Sequence, residues 1–268
     1  MSLFLRTFAG VNDYCCFMNI YLIAIAVLPV IVLAFVVYRQ DRYEKEPFGQ
    51  LVKAFFFGAL AILPAIVLER FLVWFTPPMP VLSGVYTGFV VAGFSEELCK
   101  LLLLALAVWK SRAFDEYMDG IVYACFVSLG FACFENVSYV FGQDTFANAL
   151  VTGSVRAVLS VPGHFLFGVM MGYYFALAKF DPGRRWRYLL RALVVPMLMH
   201  GTFDSLLMIP ESMPAGAGLV SGVLFVVFLW FDIRMWKWGV RRIRHLQELS
   251  RQQNVDRSNP FEGFTWYF

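Results

Sequence analysis

The amino-acid sequence predicts an all-α integral membrane protein, a polytopic bundle of about seven transmembrane helices. The first observation is composition: 60% of the 268 residues are hydrophobic and 15% are charged, whereas ordinary soluble domains are roughly 45–50% apolar and about 25% charged. The second is a mean hydropathy of +0.66. The third is a series of apolar segments, each near the ~20 residues that a helix needs to cross a bilayer.

These apolar segments follow one another through short connections, without an internal repeat. The fifth is longer than a simple crossing requires, and Pro162-Gly163 predicts a bend within it. The predicted spans are Ile20–Tyr38, Leu51–Phe75, Val85–Trp109, Met118–Phe141, Leu150–Lys179, Tyr188–Met208 and Gly216–Trp238.

The basic residues lie in every second connection, and the connections between have no Lys or Arg. Because basic loops stay on the cytoplasmic side, we expect the N-terminus outside and the C-terminus in the cytoplasm. The residues that mark the cytoplasmic side are Arg39, Arg42, Lys45, Lys53, Lys110, Arg112, Lys179, Arg184, Arg185, Arg187, Arg191, Lys237, Arg241, Arg242 and Arg244.

Two parts of the chain are predicted, a transmembrane catalytic domain over residues 1–239 and a cytoplasmic basic and aromatic tail over residues 240–268. The segment Trp236–Leu249 places apolar residues among arginines. That pattern is compatible with an amphipathic helix on an anionic leaflet and equally with a solvated basic tail.

Ionisable side chains occur inside four of the predicted spans, where each is costly unless it is paired or solvated. Counted from the outer ends at about 1.5 Å per residue, Glu96 lies ~15 Å deep, Glu135 ~10 Å and His200 ~12 Å. A shared level in the outer half of the membrane predicts one common site. Its candidate residues are Glu96, Glu97, Lys100, Glu135, Asn136, His164, His200 and Asp204.

The spacing within helices supports a common site. Glu96 and Lys100 are four residues apart, as are His200 and Asp204, so the members of each pair share a helix face. Asp204 is therefore expected to orient His200. Arg156, near a helix end, is expected to snorkel toward the outer surface.

Four short motifs resemble those of a known family. They are Glu96-Glu97-x-x-Lys100, Phe131-x-x-x-Glu135-Asn136, His164-x-x-x-Gly168 and His200-x-x-x-Asp204. In this order, each within a span, they are similar to the signatures of the PrsW family of intramembrane proteases, distant relatives of the CAAX prenyl endopeptidases. The resemblance implies a bacterial cell (inner) membrane protein that hydrolyses a peptide bond of a membrane-anchored, single-pass substrate. For bacterial members it implies site-1 cleavage of an anti-sigma factor.

Peptide hydrolysis needs a base to deprotonate water, a donor to the oxyanion and an acid for the leaving amine. Glu96 or Glu97 is the candidate base, and Lys100 partly neutralises the other carboxylate. His200 is the candidate oxyanion donor. The remaining candidates, His164, Glu135 and Asn136, are expected to position water and substrate.

A cofactor is not required by this scheme, although Zn²⁺ is possible. A zinc version would use His164 and His200 with a carboxylate, Glu97 or Glu135, and water in the open position. The chain has no His-Glu-x-x-His sequence that would make the zinc version specific.

Two other functions use the same residue types. One is a proton- or cation-coupled transporter, because Glu, His and Asp chains in helices also relay protons; the lack of an internal repeat counts against it. The other is CAAX-type prenyl protein endopeptidase activity, which is expected at the cytoplasmic side and not at the predicted depth. A membrane protein substrate and the lipid bilayer are the expected partners, and a nucleic acid is not.

Overall fold

The computed structural model describes residues 2–213 and 218–258, and the regular elements in that part of the chain are all helical. The predicted all-α bundle is therefore confirmed. The helices are α1 Ser2–Gln40, α2 Phe48–Leu72, α3 Pro80–Tyr86, α4 Ser95–Val108, α5 Tyr117–Phe141, α6 Phe146–Val158, α7 Ser160–Phe180, α8 Arg185–Ser212 and α9 Gly218–Ser258. A π-helical segment, Thr87–Phe94, joins α3 to α4.

Among the described helices, six are long and apolar enough to cross a membrane. The predicted third span is the seventh, and it differs from the others in two ways. It consists of three consecutive segments (α3, the π-helical segment and α4), and it carries Glu96, Glu97 and Lys100. The six apolar spans are Met18–Gln40, Phe48–Phe75, Tyr117–Phe141, Phe146–Phe180, Pro182–Pro210 and Gly218–Val255.

The centre of the bundle is the pair α5 and α7, whose backbones approach closely at small residues. A Cβ added to Gly172 of α7 would lie 2.3 Å from the carbonyl oxygen of Gly120 in α5, so only glycine fits there. In the most apolar part of α5, 72% of the residues are buried inside the protein, whereas in the most apolar part of α9 only 11% are buried. The side chains of α9 are therefore available to lipid, whereas α5 and α7 form a rigid centre for the site.

The fifth predicted span is interrupted about one turn before Pro162. The chain breaks at Leu159, where φ is −110° and ψ −60° between α6 and α7. Pro162 lies in the first turn of α7, where a missing backbone N–H removes no helical hydrogen bond. The expected interruption therefore occurs about one turn before Pro162-Gly163, because proline cannot donate to the carbonyl four residues earlier and its ring crowds that turn. The break makes α6 a separate short helix.

The last span continues as one helix well past residue 239. Leu246 and Ser250 of α9 are fully buried, and the hydroxyl of Ser250 accepts a 2.9 Å hydrogen bond from the backbone N–H of Met118 at the start of α5. This part of the predicted tail is thus docked on the bundle. The aromatic residues 259–268 lie outside the described residues.

Candidate active site

The first side chains of the site come from the start of α4. The π-helical segment that precedes α4 packs against α8, and a Cβ added to Gly201 of α8 would lie 2.8 Å from the Cα of Phe89. This close approach brings His200, the neighbour of Gly201, against Glu96 and Glu97. π-helical turns of this kind occur frequently at functional sites.

The ammonium group of Lys100 is the hub of the cluster. Its Nζ atom lies 3.0 Å from Oε2 of Glu96 and 2.8 Å from Oε1 of Glu97. The same atom lies 3.1 Å from Nδ1 of His164 and 4.1 Å from the centre of the Phe131 ring. Lys100 is fully buried, so these four groups supply the solvation that water would otherwise give.

Both ring nitrogens of His200 face carboxylates. Nδ1 lies 2.9 Å from Oε1 of Glu97, and Nε2 lies 3.2 Å from Oδ2 of Asp204 and 3.9 Å from Oε2 of Glu96. The imidazole ring stacks on Phe167, with ring centres 4.6 Å apart. The orientation of His200 is therefore fixed from three sides.

His164 is held in a similar way. Its Nε2 lies 2.9 Å from Oε2 of Glu135, while Nδ1 faces Lys100. Because an ammonium group has no lone pair, Nδ1 must accept and Nε2 must carry the proton that is donated to Glu135. Glu135 also accepts a 2.8 Å hydrogen bond from Arg156.

A cavity of about 610 Å³ exposes part of this cluster. Glu96, Glu135, His164, His200 and Asp204 line it. Residues of α2, the π-helical segment and helices α4 to α8 form its walls, which are largely apolar. The cavity is thus large enough for several side chains of an extended peptide.

The structure brings seven of the eight candidate residues together in this cluster. Glu97 and Lys100 are not among the residues that line the cavity, and they support Glu96, His164 and His200. Asn136 is different: its amide donates to the carbonyl oxygen of Ala26 in α1 and its Oδ1 accepts from Arg156. We therefore assign Asn136 to the packing of α1 and α6.

Two residues that line the cavity, Arg156 and Glu69, were not predicted as site residues from the sequence. Arg156, expected at the outer surface, turns inward to Glu135 and Asn136. Glu69 of α2 also lines the cavity. The break at Leu159 decides the direction of Arg156, and Pro162-Gly163 predicts an interruption of the span but not this direction.

Comparison with known proteins gives one consistent result. Residues 46–231 match the sequence pattern described as the PrsW family intramembrane metalloprotease. The chain belongs to the PrsW family. It is 37% identical to Protease PrsW of Clostridioides difficile strain 630 over 80% of this chain and 88% of that protein. It is 33% identical to Protease PrsW of Geobacillus kaustophilus over 87% of this chain and 96% of that protein. It is also 33% identical to Protease PrsW of Bacillus subtilis over 87% of this chain and 98% of that protein.

The match covers the whole predicted site, so the chain is an intramembrane protease and a multi-pass bacterial membrane protein. Membership of the PrsW family disfavours the transporter and the CAAX endopeptidase alternatives. No solved structure matches the chain.

The family description implies a metal ion, and the residue types fit one, although the ammonium group of Lys100 now contacts three of the four donors and would have to move aside. Glu96, Glu97, His164 and His200 are buried, and each offers one ligand atom within 4.8 Å of the others. Each histidine turns its second nitrogen to an outer carboxylate, Glu135 or Asp204, as metal-binding histidines commonly do. Oε2 of Glu97 is buried and has no hydrogen-bond partner among the described residues.

Proposed function

We propose that this PrsW-family protease hydrolyses a peptide bond of a single-pass, membrane-anchored protein near the extracytoplasmic side, with Glu96 as the general base. One observation carries the assignment of Glu96. Of the two adjacent carboxylates, Glu96 lines the cavity, whereas Glu97 is fully buried behind it. A base must reach a water molecule next to the substrate, and the position of Glu96 meets that requirement.

Glu97 and Asp204 position His200 in this proposal. Without a metal ion, one carboxylate at each ring nitrogen stabilises His200 as a donor, and its Nε2–H would turn from Asp204 to the oxyanion of the tetrahedral intermediate. Lys100 limits the mutual repulsion of Glu96 and Glu97. Protonated Glu96 then returns its proton to the leaving amine.

In the alternative with a metal ion, His164, His200 and Glu97 would hold the ion, and His200 would then be a ligand and not the oxyanion donor. When bound, zinc would supply Lewis-acid chemistry, polarising the scissile carbonyl and acidifying a water. Glu135 fixes the tautomer of His164 that leaves Nδ1 unprotonated and directed at the cluster. Glu96 keeps its role as the base beside these residues.

The depth of the site supports the choice of substrate region. Glu135 lies six residues before the end of α5 at Phe141, which is about 9 Å along the helix. That end is extracytoplasmic in the orientation that the basic connections favour. A substrate helix that unwinds beside the cavity would present its extracytoplasmic third to Glu96, and a membrane-anchored anti-sigma factor would be one such substrate.

The test is to incubate the purified protease in proteoliposomes with single-pass substrates and to map the new termini by mass spectrometry. We expect a cut in the extracytoplasmic third of the substrate helix or within a few residues of its end. Substrate helices shifted by four residues toward either side provide the matched control, because the cut should keep its depth and change its residue. Cleavage at the cytoplasmic boundary would contradict the proposed orientation of the site.

Metal analysis tests the ligand set. We expect about one zinc ion per chain at this site, with loss of cleavage on chelation and recovery when zinc is added back. His164→Ala should lower the zinc content, while His245→Ala, at an exposed position of α9, should leave it unchanged. Full cleavage by zinc-free protein would instead assign catalysis to Glu96 without a metal.

A further inference from the structure

A second group of buried carboxylates lies at the opposite end of α5 from Glu135. Asp41 follows α1, Glu116 precedes α5, and Asp119 belongs to the first turn of α5. Asp119 and Glu135 are sixteen residues apart in one helix, or about 24 Å. The group is therefore separate from the catalytic cluster, and the mechanism does not use it.

Three carboxylate oxygens in this group converge. Asp41, Glu116 and Asp119 each offer one oxygen, and the three atoms lie within 4.8 Å of one another. Their relative exposures are 0%, 0% and 1%. Like charges at this distance in a buried place repel strongly, so the arrangement needs a compensating charge or protons.

Helix capping explains two of the three residues. Oδ2 of Asp119 accepts hydrogen bonds from the backbone N–H groups of Asp115, at 3.0 Å, and Glu116, at 2.6 Å. Glu116 completes the capping box at the start of α5. A capping box needs no third carboxylate, so capping does not account for Asp41.

The side chain of Asp41 is the observation that points to a ligand. Among the described residues, no side chain donates to either of its carboxylate oxygens, although both are buried; the backbone N–H of Glu46 is the one backbone donor near them. The nearby ammonium group of Lys45 donates to the backbone carbonyl oxygens of Asp41 and Tyr38 and makes no ion pair with the Asp41 carboxylate. A buried carboxylate with so few donors is costly, and burial accordingly raises the pKa of Asp41 to about 6.

We propose that Asp41, Glu116 and Asp119 bind a divalent cation that prefers oxygen ligands, Mg²⁺ or Ca²⁺. The three ligands are carboxylates, without a histidine or a cysteine, and this donor set favours Mg²⁺ and Ca²⁺ over zinc. The carboxyl group of Glu46, which accepts a hydrogen bond from the hydroxyl of Tyr123, also shares a hydrogen bond with Asp119. One proton is held between these two groups when no cation is bound.

The cation would fasten three parts of the chain at this end of the bundle. Asp41 belongs to the connection after α1, and Glu116 and Asp119 fix the start of α5. Asn254 of α9 donates to Oε1 of Glu116, and Gln253 donates at 2.9 Å to the backbone oxygen of Asp115. A cation here would therefore stabilise the docking of α9 and of the connection after α1.

The test measures thermal unfolding of the full chain in nanodiscs by tryptophan fluorescence, after EDTA and dialysis. We expect millimolar Mg²⁺ or Ca²⁺, at ionic strength fixed with NaCl, to raise the melting temperature by about 5 °C. Asp41→Asn should abolish this rise, because it removes a cation ligand but no side-chain hydrogen bond. Glu44→Gln, the same charge change at an exposed position of the same connection, should keep it.

Three results would overturn the proposal. They are a melting temperature that ignores both ions, a rise that persists in Asp41→Asn, and a rise that is lost in Glu96→Gln, which would place the ion in the catalytic cavity. If Asp41→Asn does not fold, Mn²⁺ binding followed by electron paramagnetic resonance replaces it. One Mn²⁺, displaced by Mg²⁺, should bind equally to the wild type and to His200→Ala, and failure of both to bind Mn²⁺ would also reject the site.

Discussion

Replacing Glu96 by glutamine is expected to reduce substrate cleavage by about 10²- to 10⁴-fold, the usual contribution of a general base. Glutamine keeps the size of the side chain and can still accept from Lys100, but it cannot take a proton from water. The loss should fall on kcat, because Glu96 is a polar group of a largely apolar cavity and acts on the water and not on substrate binding. The measurement is the initial rate of cleavage in proteoliposomes, beside a thermal-unfolding curve that reports folding.

Glu69→Gln is the matched control for this change. Glu69 lines the same cavity but makes no salt bridge with the cluster of Lys100 and the two histidines among the described residues. We expect the control to retain cleavage within about tenfold of wild type, a barrier change near 1.4 kcal/mol. Near wild-type turnover by Glu96→Gln, with normal folding, would remove Glu96 as the base and shift attention to Glu97.

The second large effect is expected for His200→Ala, with a loss of about 10²- to 10³-fold in kcat if His200 binds the oxyanion. The change also removes the ring that stacks on Phe167 and leaves Glu97 without one of its two partners. His200→Gln, which keeps a donor near the same position, should recover part of the rate. Recovery by glutamine separates a hydrogen-bonding role from a purely steric one.

Two variants show how specific the effect of His200 is. His245→Ala removes a histidine at an exposed position of α9, and its cleavage rate should stay within about twofold of wild type, a barrier change of about 0.4 kcal/mol. Asp204→Asn should cost less than His200→Ala, because Glu97 still holds the other nitrogen of the ring. Equal losses in His200→Ala and His245→Ala would show that general destabilisation, and not the oxyanion, explains the result.

The sequence predicted the helical bundle because the spans are long and apolar, and that pattern does not depend on tertiary contacts. It also predicted that Glu96, Glu135 and His200 lie at similar depths, because helical rise converts residue number into depth. The sequence left open which of two neighbouring carboxylates faces the cavity. That choice depends on how the π-helical segment and α8 pack, which is a tertiary property.

Three other features also depend on tertiary contacts and could not be predicted in full from local sequence patterns. Pro162-Gly163 predicts an interruption near Leu159, but not its exact residue or the direction that α6 takes after it. Arg156 turns inward only because α6 is a separate helix. The convergence of Asp41 with Glu116 joins residues that are 75 positions apart in the chain (116 − 41), and no spacing rule relates them.

Glu135 connects two helices that line the cavity, α6 and α7, where a substrate would enter. Its Oε2 atom contacts both His164 on α7 and Arg156 on α6. A substrate that reaches the cavity by pushing α6 aside would pull Arg156 away and leave His164 as the main partner of Glu135. Entry by that route would thus leave the orientation of the His164 imidazole to Glu135 and Lys100 alone.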